Sequence, residues 1–292
     1  MPEEHLPIYQ IGDFDAQAPR ERYFYLNSFA AHLREHLFIQ KPHKHNFYIL
    51  LFISKGHGTH SIDFEEYPVQ ANAVFFLAPG QVHSWQLSDD TDGYIIFFTA
   101  AFYRLEYPHQ KLARFPFYQA VYRQPQLLLS NPDKDAILPI MQRMQQEHEG
   151  KKAMAEDVLR DYLDILLILL KRLYQEQNPS EQIPSKLLPQ LQALEHLIDQ
   201  NYRQHQPVRY YADQLHVTTK QLNDACRRAI GKTISELIQE RVLLEARRLL
   251  VHSHLTISEI ASSLGYFDNA YFFRFFKKHT GQTPEQFRVS QS

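Results

Sequence analysis

Residues 212–233 read ADQLHVTTKQLNDACRRAIGKT and residues 261–283 read ASSLGYFDNAYFFRFFKKHTGQT, one helical pattern written twice about fifty positions apart. Ala212 matches Ala261, Leu215 matches Leu264 and Val217 matches Tyr266. After a one-residue insertion, Leu222 matches Phe272, Cys226 matches Phe276, Arg227-Arg228 match Lys277-Lys278, and Gly231 matches Gly281. Each copy predicts a short helix, a tight turn, and a second helix opened by polar caps (Thr218/Thr219, Asp268/Asn269) and closed by glycine. That is the layout of a helix-turn-helix, whose second helix enters the DNA major groove.

The segment between the copies, ISELIQERVLLEARRLL, has apolar residues at Ile234, Leu237, Ile238, Val242, Ala246, Leu249 and Leu250, which is helical spacing with one buried stripe. About nineteen residues at 1.5 Å each make a rod of roughly 28 Å. That approaches the roughly 34–36 Å separating successive major-groove segments on one face of B-DNA. The exposed polar candidates for base contact are Thr219, Lys220, Gln221, Asn223 and Arg227 in the first copy, and Asp268, Asn269, Arg274 and Lys277 in the second. Arg and Lys suit guanine edges, Asn and Gln suit adenine. Leu222, Phe272, Phe276 and Tyr271 are expected in the core.

The stretch RVLLEARRLLVHSHLTISEIASSLGYFDNAYFFRFFKKHTGQTPEQFR resembles the signature of the AraC/XylS transcription regulators. The resemblance rests on Ala246, Leu249-Leu250, Ile257, Glu259-Ile260-Ala261, Gly265-Tyr266, Asp268, Tyr271-Phe272, Arg274, Phe276-Lys277-Lys278, Gly281, Thr283-Pro284 and Arg288. It spans residues 184–290 and extends more loosely over the N-terminal part. Ala270 stands where the pattern usually has a small hydroxyl residue, and Phe273 where a small polar one is usual. Cys226-Arg227-Arg228 replaces the usual Phe-Lys-Lys. These departures bear on which bases are read rather than on the class.

Composition agrees with two domains: 292 residues suffice for two cores. One cysteine, Cys226, leaves no internal disulfide and fits a reducing compartment; it is expected as a buried thiol. No apolar run approaches eighteen residues and MPEEHL is no signal sequence, so the expectation is a cytoplasmic protein without membrane contact. The net charge of −2 is uneven: residues from 181 onward hold 14 Lys/Arg against 11 Asp/Glu, leaving 17 against 22 before them. A weakly basic half suits phosphate contact.

Residues 20–105 carry short β-branched and aromatic runs, FYILLFI, HSIDFEEYPV, AVFFLAP and GYIIFF, broken by KGHG, PG and DDTDG. His43 and His45 are two apart and share a strand face with Phe47, Ile49 and Leu51; His83 and Trp85 share another. This arrangement resembles the cupin barrel, which sets histidines and a carboxylate around a metal. Here the carboxylate is missing, since Tyr48 and Ile49 stand three to four positions beyond His45. Three imidazoles can still hold zinc or iron. The AraC-like relatives of cupins instead bind a small effector in the barrel. On that reading His43, His45, Tyr48, His83 and Trp85 line the pocket, and a ring-rich wall suits a sugar or a small aromatic acid. Ordinary structural histidines are the third reading.

Two helical blocks follow at about 133–177. In the second, Leu159, Leu163, Leu166, Leu170 and Leu173 alternate spacings of four and three, a coiled-coil seam beside a stripe of Val158, Tyr162, Ile165 and Leu169. The seam predicts a homodimer; the alternative is a helix wedged between the barrel and a neighbouring helix, which would also be apolar on two sides.

The expected architecture is therefore α+β and multidomain. A cupin-like β-barrel with two C-terminal helices occupies 1–177, NPSEQIPS forms a linker over 178–185, and an all-α DNA-binding domain fills 186–292. Its helix-turn-helix units fall at about 208–229 and 257–279. The expected function is a DNA-binding transcription regulator under small-molecule control, with no enzymatic activity and no cofactor. The alternative is a metal-dependent cupin enzyme or metal sensor using His43, His45 and His83. No Ser/His/Asp order, phosphate-cradling Gly-rich loop or Cys/His cluster supports catalysis.

Overall fold

A computed structural model describes residues 6–14, 23–104, 112–119, 124–150, 152–178 and 187–291. The chain divides into two units, Pro7–Gln182 and Ile183–Ser292. The linker expected at 178–185 lies outside the described residues apart from Asn178.

In chain order, the first unit has strand β1 (Ile8–Tyr9), a 3₁₀ turn (Ile11–Phe14), β2 (Phe24–Ser28), helix α1 (Phe29–Glu35), β3 (Lys44–His45), β4 (Tyr48–Lys55), β5 (Gly58–Ile62) and β6 (Glu65–Val69). Then come β7 (Ala73–Leu77), β8 (His83–Leu87), β9 (Asp92–Phe98), α2 (Ala100–Arg104), β10 (Gln126–Leu128), α3 (Asn131–Gly150) and α4 (Ala155–Gln177). A five-stranded antiparallel sheet runs β10-β7-β4-β9-β2 and a three-stranded one runs β6-β5-β8.

The middles of the central strands, residues 49–53 and 95–98, and the whole of β7 are apolar and buried because both of their faces are covered. Along β4, Ile49, Leu51 and Ile53 enter a core with Phe75, Phe97, Ile62 and Trp85, between the two sheets. Leu50 and Phe52 enter a second core with Val74, Phe76, Ile96 and Phe98, beneath α3 and α4. Period-two alternation thus sends successive residues to opposite faces without a polar side.

The α4 leucines fill that second core. Leu159, Leu163, Leu166 and Leu170 are at most 3 % exposed, and Leu173 packs against the same cluster. The seam therefore meets the sheet and α3 of its own chain, which corrects the expectation that it meets a second copy. A helix wedged over a sheet needs the same apolar spacing as a coiled coil, so periodicity did not separate them.

The second unit is helical: α5 (Leu188–Asn201), α6 (Val208–Gln214), α7 (Thr219–Ile230), α8 (Ile234–His252), α9 (Ile257–Ser263), α10 (Asn269–Thr280) and α11 (Pro284–Ser290). Capping boxes open α7, α8, α9 and α11: Thr218 with Gln221, Thr233 with Glu236, Thr256 with Glu259, and Thr283 with Gln286. Its core joins Leu222, Cys226, Ile234, Val242, Ala246, Ile260, Phe272 and Phe276. Burial pushes the Cys226 thiol up to about 11, as expected of an inert thiol. The Arg288 guanidinium donates to the Leu250 and Leu255 carbonyls, fixing α11 against the α8–α9 junction.

Candidate nucleic-acid interface and ligand pocket

The two helix-turn-helix copies share one turn. Val217 N–H donates to the Ala212 carbonyl at 3.0 Å, and Tyr266 N–H donates to the Ala261 carbonyl at 2.9 Å. The residue before each donor is left-handed, His216 at φ 54° and Gly265 at φ 82°. Only the second copy has glycine there, and it needs one: a Cβ at Gly265 would lie 1.9 Å from the Arg203 carbonyl oxygen. The turn sets α7 against α6 and α10 against α9, leaving one face of each second helix uncovered.

On α7, Lys220, Gln221 and Arg227 are exposed and Thr219 is half-buried. Two of the expected base readers there have local work. Gln221 Oε1 accepts from Thr218 N–H at 2.9 Å in the capping box, and half-buried Asn223 accepts from Ile234 N–H at 3.1 Å, which ties α7 to the start of α8. On α10, Asp268 is the N-cap and accepts from Ala270 N–H at 2.8 Å, while Asn269 donates to Ser258 Oγ at 2.8 Å. Arg274 and Lys277 are exposed. Leu222, Phe272 and Phe276 are buried as expected, but Tyr271 is 60 % exposed, contrary to the expectation that it joins the core. Helical periodicity explains the difference, because Tyr271 lies about 100° away from Phe272. Phe267, at the turn, is wholly exposed and was missed.

In the first unit, the backbone puts three histidines together. His43 and His83 exchange N–H···O bonds of 3.1 and 3.0 Å, the bridge that joins the β3 segment to β8. Their rings lie 4.2 Å apart, and His45 and His83 are at 5.1 Å. Trp85 stands beside them and stacks on His60 at 3.5 Å. His60, on β5, was not anticipated; its Nε2 is 3.3 Å from His83 Nδ1. Alternation along β5 could have placed it on the Ile62 face, but a lone histidine in a strand carries no stronger signal.

Tyr48 does not join this group. It stacks on Phe98 at 5.4 Å and packs into the core under the helices, the face opposite His45 and Phe47. An odd offset from His45 reverses the strand face.

Burial keeps these imidazoles neutral. The His45 ring is pushed down to about 3, the His60 and His83 rings well below the usual histidine value, and His43 is lowered too. His45 Nδ1 lies 2.6 Å from the Phe47 carbonyl, so Nδ1 carries the proton and Nε2 an unused lone pair. The Trp85 Nε1–H, likewise buried, has no acceptor; His60 Nδ1 and His83 Nε2 also lack partners. Phe14, His32, Ile39, Phe47, Ile49, Ile95 and Phe97 complete the wall around a space holding about one water. No lining residue is Lys or Arg. Among the described residues no three His, Cys, Asp or Glu side chains are arranged to hold a metal ion. The metal-dependent enzyme reading is without support.

Comparison with known proteins bears on both regions. An "AraC-like ligand binding domain" model matches residues 25–191, and a "Helix-turn-helix domain" model matches 211–290. The HTH-type transcriptional activator RhaR of Cronobacter sakazakii is 24 % identical over 250 residues, covering 84 % of this chain and 86 % of the relative. RhaR of Enterobacter sp. is 23 % identical over 248 residues, with the same coverage. Among solved structures, ToxT of Vibrio cholerae with a bound unsaturated fatty acid is similar over 92 % of this chain and 96 % of that one, at 15 % identity and a TM-score of 0.41. The ligand-binding model spans more than half the chain, and the repeated helix-turn-helix follows it. The chain belongs to the AraC-like family of DNA-binding transcription regulators.

Proposed function

We propose that α7 and α10 read an operator and that a neutral, hydroxylated small molecule, a sugar rather than an acid, controls the protein from the histidine pocket. The observation that carries the effector reading is two of the four partnerless buried ring nitrogens named above. His45 Nε2 offers a lone pair and Trp85 Nε1–H a proton, and a hydroxyl group satisfies either. An unmet buried polar group costs about 1–3 kcal/mol, so a ligand that meets both is favoured by about that much for each. A carboxylate finds no cation in the lining, because the imidazoles are neutral and Lys and Arg are absent. The space is small, so a sugar enters only as the surrounding rings move apart.

For DNA contact, the exposed Arg274, Lys277, Lys220 and Arg227 are assigned the direct contacts. Gln221, Asn223, Asp268 and Asn269 hold the reading helices in place. The relatives named as activators support an activating role and a cytoplasmic site of action. The domain limits proposed are 1–177, a 178–185 linker and 186–292. We place homodimer contact on the second α4 stripe, where Ile165 is 47 % exposed, rather than on the buried leucine seam.

The test is a titration of full-length protein with monosaccharides and with aromatic acids, followed by Trp85 fluorescence, alongside gel shifts with DNA upstream of its own gene. Sugars should alter the emission and the DNA affinity, and Arg274→Ala should weaken specific binding by about fivefold or more with the fold intact. A response to acids alone overturns the effector class, and unchanged affinity of the Arg274 variant overturns the assignment of α10.

A further inference from the structure

The uncovered face of α10 is not the polar surface that a phosphate-binding helix requires. Phe267 is 108 % exposed, the most exposed large apolar side chain among the described residues, and Tyr271 is 60 % exposed. Both lie away from the buried Phe272 and Phe276, on the side that carries Ala270 and Arg274, all four exposed. Lys277 and Lys278 follow one turn further along, also exposed. The Arg274 guanidinium carbon sits 5.9 Å over the Tyr271 ring, within reach of a cation–π contact. Leaving a phenylalanine and a tyrosine in water forgoes burial worth about 1.5–3 kcal/mol each, unless a partner covers them.

The charge pattern names that partner. Apolar groups at the N-terminal end of a reading helix, followed by cations along the same face, match a groove whose floor carries methyl groups and whose walls carry phosphates. In the major groove only thymine offers a methyl, and apolar side chains recognise it by contact. The first turn of a reading helix and the residues just ahead of it are the part that meets base edges. Ala270 widens the approach, since it brings no side chain beyond Cβ.

We propose that Phe267, Ala270 and Tyr271 form an apolar reading patch that selects thymine by its 5-methyl group, with Arg274 fixing the register on a neighbouring base. This rests on the reading that α10 enters the major groove. It implies that operator sites carry at least one thymine, on either strand, at the step facing the start of α10.

The experiment is selection of binding sites from random duplex DNA with the full-length protein, then replacement of each thymine of the selected site by deoxyuridine. Deoxyuridine keeps the pairing edge and removes only the methyl. One or two positions should lose about fourfold in affinity per methyl, the size of one buried methyl group. The Phe267→Ser/Tyr271→Ser variant, altered only at exposed positions, should retain its helical circular dichroism and be indifferent to the same replacement. If the wild type selects a site but no deoxyuridine weakens it, or if the variant stays as sensitive as the wild type, the proposal fails while the regulator reading stands. If the variant keeps both affinity and methyl sensitivity yet loses transcription in vitro, the patch faces a protein and the proposal also fails. If the wild type selects no sequence, the reading of α10 itself fails.

Discussion

Lowering the pH from 7.5 to 5.0 should unfold the sheet-rich unit through its histidines. His45 titrates at about 3 in the folded chain, against about 6.5 when unfolded. A ring held neutral binds fewer protons folded than unfolded. Its stability contribution is therefore complete above about 6.5 and is lost progressively as the pH falls toward 3. At pH 5.0 the unfolded ring is almost fully protonated and the folded one is not, a linkage cost of about 2 kcal/mol for His45 alone. His32, His60 and His83 are also lowered well below the usual value, by burial first and then by their neighbouring imidazoles. Each adds a loss of the same sign as that of His45 as the pH falls. The assay is urea unfolding followed by fluorescence. Trp85 is the chain's one tryptophan and lies stacked on His60, so the signal reports this unit alone. Unfolding free energy should fall by at least about 2 kcal/mol between pH 7.5 and 5.0, and His45→Gln should remove about 2 kcal/mol of that dependence. A fall below about 1 kcal/mol in the wild type would refute the claim that burial holds these rings neutral.

Leu163→Ala should cost about 2–5 kcal/mol in the same Trp85 transition, since the side chain is fully buried beneath the sheet; sedimentation should show no change of oligomeric state in the folded fraction. Gly265→Ala should cost about 2 kcal/mol or more and lower operator affinity, because a Cβ meets the Arg203 carbonyl and φ is left-handed; the loss should appear in the helical circular dichroism melt and leave the Trp85 transition in place.

The two-unit α+β organisation was legible because its signals are local. Repeated spacing, capping residues and closing glycines set helices within a few residues of one another, and α7 through α10 fall where the two copies placed them. His43, His45, His83 and Trp85 were also recoverable, since strand alternation decides a face from neighbours alone. The same rule, applied strictly, puts Tyr48 on the other face; grouping it with the pocket followed ring chemistry instead of position. Burial within a helix is harder to infer. Tyr271 and Phe272 are adjacent aromatics, yet one is exposed and the other sealed.

The α4 seam shows why the rest was not legible. Leucines at spacings of four and three specify an apolar stripe, and a stripe is equally well buried by a sheet of the same chain or by another helix. What decides is the supply of apolar surface elsewhere: Leu50, Phe52, Val74, Phe76, Ile96 and Phe98 form a sheet face that must be covered, and α4 covers it with α3. Covering that face removes far more apolar surface from water than pairing one helix edge with a second copy, so the intramolecular contact takes the leucines first. Of the flanking stripe, Tyr162 and Leu169 pack against this same core and Ile165 is exposed, so the dimer proposed above would be weak and concentration-dependent. Pairing of two copies should then tighten on an operator, where DNA already holds both close together.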